Sequence, residues 1–195
     1  MPAQPKRCAW VSTDPLYITY HDEEWGVPIY DDKLLFEFII LEGMQAGLSW
    51  ITVLRKREHY RKLFDNFNAK KIVQYDDKKI QELLKNPNII RNKLKINGVV
   101  KNARAYLEIK KEFGSFSDYL WQFVNGKPLQ NKWKTIKSVP ATSPESDAMS
   151  KALKKRGFTF VGSTICYAFM QAVGMINDHT IDCHRHKFCA KQKLK

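Results

Sequence analysis

Apolar side chains recur with the period of an α-helix, most clearly in the segment that follows Asp31. There Leu35, Phe38, Ile39 and Glu42 stand at positions i, i+3, i+4 and i+7, which places them on one face of a helix. No segment alternates apolar and polar residues over the length of a strand. The pattern therefore predicts an all-α fold.

Capping signals mark where the helices begin. Asp14-Pro15 and Ser143-Pro144 each place a capping side chain before a proline in the first helical turn, and Ser49 is expected to start a third helix. A turn is expected between Gly43 and Gly47, and the Lys-, Pro- and Thr-rich segment 126–142 is expected to be a surface loop. The predicted helices span 14–20, 31–42, 49–54, 69–75, 77–85, 92–113, 116–124 and 143–156, with an uncharged helix after Gly162.

The size and charge of the chain narrow the class of protein. Its 195 residues, 44% of them hydrophobic, are enough to bury a core, and we expect a single domain over 1–195. Two closely packed helical lobes remain an alternative, and 184–195 forms a basic tail. The net charge of +13 predicts an anionic partner, nucleic acid first and an acidic membrane second.

Two features bear on the cellular compartment. Residues 158–176 carry no charge, but Thr159, Gln171 and Gly174 interrupt them, so we interpret them as a buried core element rather than a membrane span. The basic start of the chain, 1–7, has no apolar run behind it, which argues against a signal peptide. We therefore expect a cytoplasmic protein whose four cysteines are reduced thiols or metal ligands.

Two glycines near the uncharged helix suggest a site for an anion. One helix is predicted to end at Gly157 and the next to begin after Gly162, with basic residues at 154–156 directly before them. Such spacing suits a hairpin whose backbone N–H groups face outward at a helix N-terminus. The hairpin is either a helix-hairpin-helix clamp on the DNA backbone or an ordinary loop, and the net charge favours the clamp.

Glu42 is unusual because it lies on an apolar helix face, where an ionised carboxylate is costly unless it is paired. Its side chain either serves a pocket or a helix cap, or it reaches water near the helix end. A carboxylate among aromatic rings is what a pocket for a flat cationic base requires, because ring faces attract the cation and the carboxylate accepts hydrogen bonds from its edge. The aromatic residues near it in sequence, which otherwise belong to the core, are Trp10, Tyr17, Tyr20, Trp25 and Trp50.

Cysteine and histidine form two pairs at opposite ends of the chain. His179 and Cys183 are four residues apart, so both fit one side of a helix or turn, and Cys8 and His21 form the second pair. The set suits a structural zinc site that joins the two ends. Surplus donors leave open the alternative that none of these side chains binds metal. The surplus donors are His184, His186 and Cys189.

Longer motifs occur between Cys8 and Cys183. They are Cys8-Ala9-Trp10-Val11, Asp14-Pro15-Leu16-Tyr17, Tyr20-His21-Asp22-Glu23-Glu24-Trp25-Gly26-Val27-Pro28, Leu41-Glu42-Gly43, Gln45-Ala46-Gly47-Leu48-Ser49-Trp50 and Lys151-Ala152-Leu153-Lys154-Lys155-Arg156-Gly157-Phe158. Together they resemble the bacterial 3-methyladenine DNA glycosylase I family, over nearly the whole chain.

The resemblance implies a helix-hairpin-helix glycosylase that flips a nucleotide out of alkylated double-stranded DNA and excises 3-methyladenine by hydrolysis. Glu42 matches the glutamate that contacts the base in this family. Tyr20 and Trp50 match the aromatic residues that sandwich the base, and Trp10 and Tyr17 match pocket residues beside them. Methylation at N3 makes adenine cationic and weakens its glycosidic bond, so strong acid catalysis is not required.

The resemblance also implies a DNA-binding face and one zinc ion in a monomeric protein. Gly47 and Leu48 match the loop that enters the gap left by the flipped nucleotide. The segment from Gly157 to Gly162 takes the place of the hairpin, although it lacks the Leu-Pro-Gly-Val-Gly sequence common in the superfamily. The family's zinc ligands match Cys8, His21, His179 and Cys183.

Asp182 is a second candidate carboxylate. In the wider superfamily a catalytic Asp follows the hairpin, and Asp182 comes 20 residues after Gly162. The 3-methyladenine branch is described as working without that Asp. Because Asp182 lies between His179 and Cys183, we interpret it as a carboxylate on the surface or behind a metal ligand.

Two alternatives come from other functional classes. A zinc-stabilised helix-hairpin-helix module that binds DNA without catalysis explains the charge, the hairpin and the Cys/His set, but not Glu42 on an apolar face. Binding to an acidic membrane surface ranks third, because the chain shows no basic amphipathic helix with a continuous apolar face.

Overall fold

In the computed structural model, which describes residues 5–192, most helices begin where the capping signals of the sequence predict. The α-helices are α1 Pro15–Thr19, α2 Asp32–Gln45, α3 Trp50–Leu54, α4 Arg57–Leu63, α5 Ala69–Ile72, α6 Asp77–Lys85, α7 Lys93–Phe113, α8 Phe116–Trp121, α9 Pro144–Lys155, α10 Ser163–Ala172 and α11 His184–Ala190. A π-helical turn spans Tyr20–Glu24, and 3₁₀ turns span Asp65–Phe67, Gln122–Val124 and Ile136–Ser138. Residues 1–4, part of the basic N-terminal stretch considered above, and residues 193–195, part of the predicted basic tail, lie outside the described residues.

Side-chain caps explain the predicted starts of α1, α2 and α9, whereas Ser49 precedes α3 without a side-chain cap bond. The Asp14 carboxylate accepts hydrogen bonds from the backbone N–H groups of Leu16 and Tyr17 at 2.9 and 3.4 Å. Asp31 does the same for Leu34 at 2.8 Å. Each carboxylate satisfies N–H groups that have no partner inside the helix.

The structure corrects the predicted elements in four places. Helix α2 continues through Gly43, because the missing side chain leaves room for Phe160, whose Cβ would lie 3.2 Å from a Cβ at that position. Helix α4 was not predicted, and α11 occupies most of the segment predicted as a tail. The predicted loop 126–142 contains strand β1 Leu129–Gln130, which pairs in parallel with β2 Ile176–Asn177. Residues 5–192 are therefore mostly helical, with one pair of two-residue strands.

The core forms around α2, which contacts α3, α7, α8 and α10. Ten of its residues, Leu35 to Met44, are buried, so this helix is surrounded rather than amphipathic. The uncharged stretch 158–176 is a core element as predicted, with α10 packed against α2 and α9. No helix within residues 5–192 is long and apolar enough to cross a membrane.

Gly174 fixes how the C-terminal part of the chain turns away from α10. Its φ is +70°, and an added Cβ would lie 2.4 Å from the backbone of Val27 and Pro28. The neighbouring carbonyl of Val173 accepts a hydrogen bond from the N–H of Ile29 at 3.1 Å. The turn before β2 is therefore in direct backbone contact with the segment that follows the π-helical turn.

We predict that Gly174→Ala lowers the free energy of unfolding by about 3 kcal/mol or more, because the methyl group collides with backbone that has no room to move. Gly126→Ala is the matched control: φ is +71° there, but nothing lies within 4 Å of the added Cβ. It should cost only about 1 kcal/mol, the strain of a left-handed alanine. Urea unfolding measures both, and equal losses would contradict the role of the close contact.

Candidate active site

A cavity of about 310 Å³ opens between the N-terminal elements and α10. This volume is at the lower end of the range for small-ligand pockets. All five residues predicted to contact a base line it, namely Trp10, Tyr17, Tyr20, Glu42 and Trp50. The fold thus brings together side chains from four separate elements of the chain.

The π-helical turn supplies one wall of the cavity. Its defining bond runs from the N–H of Trp25 to the carbonyl of Tyr20 at 2.9 Å, one residue longer than in an α-helix. Within it Tyr20 lines the cavity, whereas the neighbouring His21 belongs to a separate cluster of cysteine and histidine. Neighbouring residues of one turn therefore serve two different sites.

Glu42 is buried, with only 3% of its surface exposed, so its side chain does not reach water at the helix end. Burial raises the pKa of its carboxyl group from 4.5 to about 8. Among the described residues, no group donates to or accepts from its buried Oε2 atom. A buried polar atom without a partner, facing a cavity, is a position at which a ligand gains a hydrogen bond.

Aromatic rings surround this carboxyl group. The Tyr20 and Trp50 rings lie 5.5 Å apart between centroids, and Trp10 is 4.9 Å from Tyr17. Burial, and then the nearby Glu42, raises the pKa of both tyrosines, so the phenols stay neutral. The indole Nε1 of Trp50 is also buried without a partner in the described chain. The cavity therefore offers ring faces and two unpaired polar atoms.

The opposite wall was not predicted from the sequence. It consists of Tyr167 and Gln171 on α10, Asp178 after β2, and residues 136–141 of the predicted loop. Trp25, which the sequence analysis named only as a nearby aromatic, also lines the cavity. The α10 residues look like any others in an uncharged core helix, so the sequence holds no signal that separates them.

Asp182 does not reach the cavity. Its side chain is 42% exposed and pairs with Lys6 at 2.6 Å, which lowers the pKa of the carboxyl group. This agrees with its interpretation as a surface carboxylate. A different aspartate, Asp178, lines the cavity together with Glu42; it is only 1% exposed and lies four residues before Asp182.

The four predicted metal ligands form one buried cluster. The ligand atoms of Cys8, His21, His179 and Cys183 all lie within 4.8 Å of one another. Three sulfur-to-nitrogen distances within the cluster are 3.5 Å. A tetrahedral zinc site with ordinary Zn–S and Zn–N bonds has sulfur-to-nitrogen edges of about 3.5 Å. The geometry therefore fits a tetrahedral metal ion.

Each imidazole of the cluster is held from behind. The Nδ1 atom of His21 lies 2.7 Å from Oδ1 of Asp22, and Nε2 of His179 lies 3.1 Å from the carbonyl of Trp25. Both contacts suit a ring that donates its proton outward and leaves the inner nitrogen free to bind metal. The surplus donors His184, His186 and Cys189 lie outside the four-residue cluster.

The segment from Gly157 to Gly162 is a tight connection between α9 and α10. Gly157 has a φ of +91°, and Gly162 caps α10 without a side-chain bond. The side chain of Asn102 on α7 holds the segment, donating to the Thr159 carbonyl at 3.0 Å and accepting from its N–H at 2.7 Å. Arg156 pairs with Glu112, so the exposed basic residues beside the hairpin are lysines.

The turn after α2 exposes Gly47 and Leu48, with Leu48 43% exposed. The buried ammonium group of Lys95 donates to the carbonyls of Met44 and Ala46 at 2.8 and 2.7 Å, which caps the helix. Gln45, just before the turn, lines the cavity. An apolar side chain thus projects beside the cavity from an anchored turn. Lys95 could not be singled out from the sequence, because a lysine at the start of a helix is usually exposed.

Comparison with known proteins shows which family the chain resembles. The family model described as Methyladenine glycosylase matches residues 10–186. DNA-3-methyladenine glycosylase 1 of Escherichia coli (strain K12) is 53% identical over 178 residues, which are 91% of this chain and 95% of that protein. A solved 3-methyladenine DNA glycosylase I has a TM-score of 0.92 at 52% identity and covers 93% of this chain and 100% of its own. A structure of the Staphylococcus aureus enzyme, which concerns 3-methyladenine recognition, has a TM-score of 0.90 at 37% identity and covers 97% and 98%.

These matches cover the same part of the chain as the site. The matched residues 10–186 include every residue that lines the cavity, and they include three members of the Cys/His cluster, all but Cys8. The expected resemblance is confirmed over nearly the whole length. The chain belongs to the methyladenine glycosylase family.

Proposed function

We infer that this protein is a DNA repair glycosylase that excises 3-methyladenine from alkylated DNA. The observation that carries this conclusion is the buried, unpartnered carboxyl group of Glu42 inside a cavity walled by aromatic rings. Water adds to C1′ of the deoxyribose and releases one proton, while the bond from C1′ to N9 breaks and its electron pair neutralises the cationic base. The products are free 3-methyladenine and an abasic site. A module that only binds DNA would have no use for such a cavity.

Glu42 has different charge states in the empty and the filled pocket. With a pKa of about 8 it is mostly protonated at neutral pH when the cavity is empty. A cationic base beside it favours the carboxylate and lowers that pKa. The neutral form avoids the cost of a buried charge until the substrate supplies the countercharge. Ordinary adenine is neutral and offers no such compensation, so the pocket discriminates against it.

The remaining catalytic work is binding and orientation. Methylation makes the leaving group cationic, and the flipped nucleotide must only be held while water attacks. We propose that Tyr20 and Trp50 stack on the base, with Trp10 and Tyr17 completing the aromatic wall. Their burial keeps bulk water from the base and strengthens its attraction to Glu42.

We propose that the Cys8, His21, His179 and Cys183 cluster holds one zinc ion. The 3.5 Å sulfur-to-nitrogen edges, complete burial and outward-held imidazoles support this ligand set. Four protein ligands leave no open position for water, so the ion would stabilise the fold rather than act on substrate. It would join the N-terminal segment to the turn after β2.

We propose that double-stranded DNA binds across the hairpin and the exposed turn beside the cavity. Gly157 and Gly162 shape the hairpin that faces the phosphates. The turn formed by Gly47 and Leu48 enters the gap left by the flipped nucleotide, with the Leu48 side chain at its tip. The net charge of +13 supports backbone binding without sequence preference. One copy supplies all the cavity residues described, so we propose that the protein is a monomer. We also propose that it is cytoplasmic and associates with the nucleoid through DNA.

We predict that Glu42→Gln reduces excision of 3-methyladenine roughly 10- to 100-fold, because the amide cannot become negative and presents donors to the base. Affinity for undamaged duplex should change less than about twofold, since Glu42 lies inside the cavity. Release of free methylated base from alkylated DNA and a gel-shift titration measure the two effects. A Glu42→Gln variant with normal release would contradict the role of this carboxyl group.

The same variant should alter the pH dependence of substrate affinity. Because the pKa of about 8 in the empty pocket falls when a cation binds, binding releases a proton. Affinity for the damaged duplex should therefore rise with pH up to about 8 and then level off. In Glu42→Gln this rise should be absent, and a similar rise in both proteins would assign it to another group.

We predict one tightly bound zinc per chain, measured by elemental analysis of the purified protein. Cys183→Ser should lose the metal, because it removes one of four ligands. Cys189→Ser is the matched control: this thiol is also buried but lies outside the cluster, so zinc should be retained. Metal-free wild-type protein, or loss on changing Cys189 alone, would contradict the assignment.

We predict that affinity for duplex DNA falls steeply with salt, because neutralising phosphates releases condensed counterions. The plot of log affinity against log salt should be linear and lose about one unit of slope for each phosphate contact removed. Lys154→Gln combined with Lys155→Gln should reduce the slope by about two. A flat plot for the wild-type protein would argue against the hairpin as a phosphate clamp.

A further inference from the structure

Asp178 is the centre of the densest hydrogen-bond network around the cavity. Its Oδ1 atom accepts from Asn131 Nδ2 and Trp133 Nε1, both at 2.7 Å. Its Oδ2 atom accepts from the Tyr167 hydroxyl at 2.6 Å and from Gln171 Nε2 at 2.7 Å. Each oxygen thus accepts two hydrogen bonds, Oδ1 from the segment that contains Asn131 and Trp133 and Oδ2 from helix α10.

The two pairs of donors belong to the two sides of the unpredicted wall. Tyr167 and Gln171 lie on the rigid helix α10, whereas Asn131 and Trp133 stand at the start of the segment that reaches residues 136–141. Asp178 therefore connects the helix to the segment through its side chain alone.

Backbone groups also anchor the start of this segment. The N–H of Asn131 donates to the Asn177 carbonyl at 3.3 Å, the N–H of Ile181 donates to the Trp133 carbonyl at 2.9 Å, and Nε2 of His186 lies 2.8 Å from the Asn131 carbonyl. These bonds hold the backbone, whereas Asp178 holds the side chains of Asn131 and Trp133. The hydrogen bonds described for Thr135 to Val139 are all local to that turn. The next fixed point is the capping box of Ser143 at the start of α9. Between these two points the cavity-wall residues in 136–141 have local hydrogen bonds, and Val139 packs against the core.

We propose that Asp178 is a positioning residue for base recognition, holding Trp133 and Asn131 so that residues 136–141 close the cavity opposite the aromatic wall. Asp178 acts through these neighbours rather than on the base. Its oxygens already accept four hydrogen bonds, which leaves little acceptor capacity for a ligand. The proposal deepens the proposed function and rests on it.

Trp133→Phe is the sharpest test, because it removes the Nε1 donor and keeps an aromatic, although smaller, side chain, and Trp133 is not among the residues that line the cavity. We expect a rise of about fivefold or more in the Kd for free 3-methyladenine and in KM for alkylated duplex, the usual effect of losing a hydrogen bond to a charged group. The rate at saturating substrate should stay within about twofold. Amide hydrogen exchange in 134–142 should become faster.

Asp178→Asn should likewise weaken base affinity and leave the saturating rate nearly unchanged. The amide NH2 group replaces one oxygen and cannot accept from the two donors that this oxygen serves. Asp182→Asn is its matched control, because each aspartate directly precedes a cluster residue, His179 or Cys183, while Asp182 is exposed and paired with Lys6. Asp182→Asn should leave excision, base affinity and exchange unchanged. Zinc content and melting temperature establish that each variant is folded, and Trp133→Phe decides the case if Asp178→Asn does not fold.

Three results would overturn the proposal. A large loss of saturating rate in Asp178→Asn with normal Trp133→Phe would mean that the carboxylate charge acts directly on the reaction. Unchanged base affinity in Trp133→Phe would mean that the network does not shape the cavity. A uniform loss of stability without faster exchange in 134–142 would mean a general structural role. Failure of the proposed function is distinguishable, because wild-type protein would then neither bind nor release 3-methyladenine.

Discussion

The architecture depends on holding the two ends of the chain against each other. One cavity wall comes from residues 10–25 and the other from 167–178, so neither terminal region forms the site alone. The Cys/His cluster lies directly behind both walls, with its four side chains at most 4% exposed. Burying thiols and imidazoles is unfavourable unless their polar atoms are satisfied, and here each imidazole is held by an oxygen on its outer side. The cluster therefore places Cys8 and His21, from the segment of the first wall, in contact with His179 and Cys183 from the segment of the second.

Burying Glu42 in the site lowers the stability of the folded protein as the pH rises. Its folded pKa of about 8 exceeds the ordinary 4.5, so the folded protein holds this proton more tightly than the unfolded chain does. Stability from this group is therefore full below about pH 4.5 and declines as pH rises towards 8. A cationic ligand reverses the balance by stabilising the ionised form. The same burial that costs stability in the empty protein makes the pocket selective for positive charge.

Local signals in the sequence predicted most helix boundaries and one side of the site. Asp14, Asp31 and Ser143 mark helix starts through bonds to nearby N–H groups, which depend only on adjacent residues. Glu42 was found because a charge on an apolar helix face is anomalous wherever the helix lies. Gly43 misled, because its absent side chain serves contact with Phe160, a residue more than a hundred positions away. Tyr167 and Gln171 gave no anomaly, since periodicity does not separate a cavity wall from a packed core.

The contrast between Asp178 and Asp182 shows why spacing along the chain is a poor guide to the working carboxylate. Both precede a cluster residue by one position, yet one is buried against four donors and the other pairs with Lys6 at the surface. Asp178 directly follows β2, and the packing of that strand against α10 brings its carboxylate within reach of Tyr167 and Gln171. Asp182 lies in the exposed turn before α11, so its carboxylate reaches Lys6 instead. Counting residues from Gly162 ignores this difference in surroundings and selects the exposed aspartate.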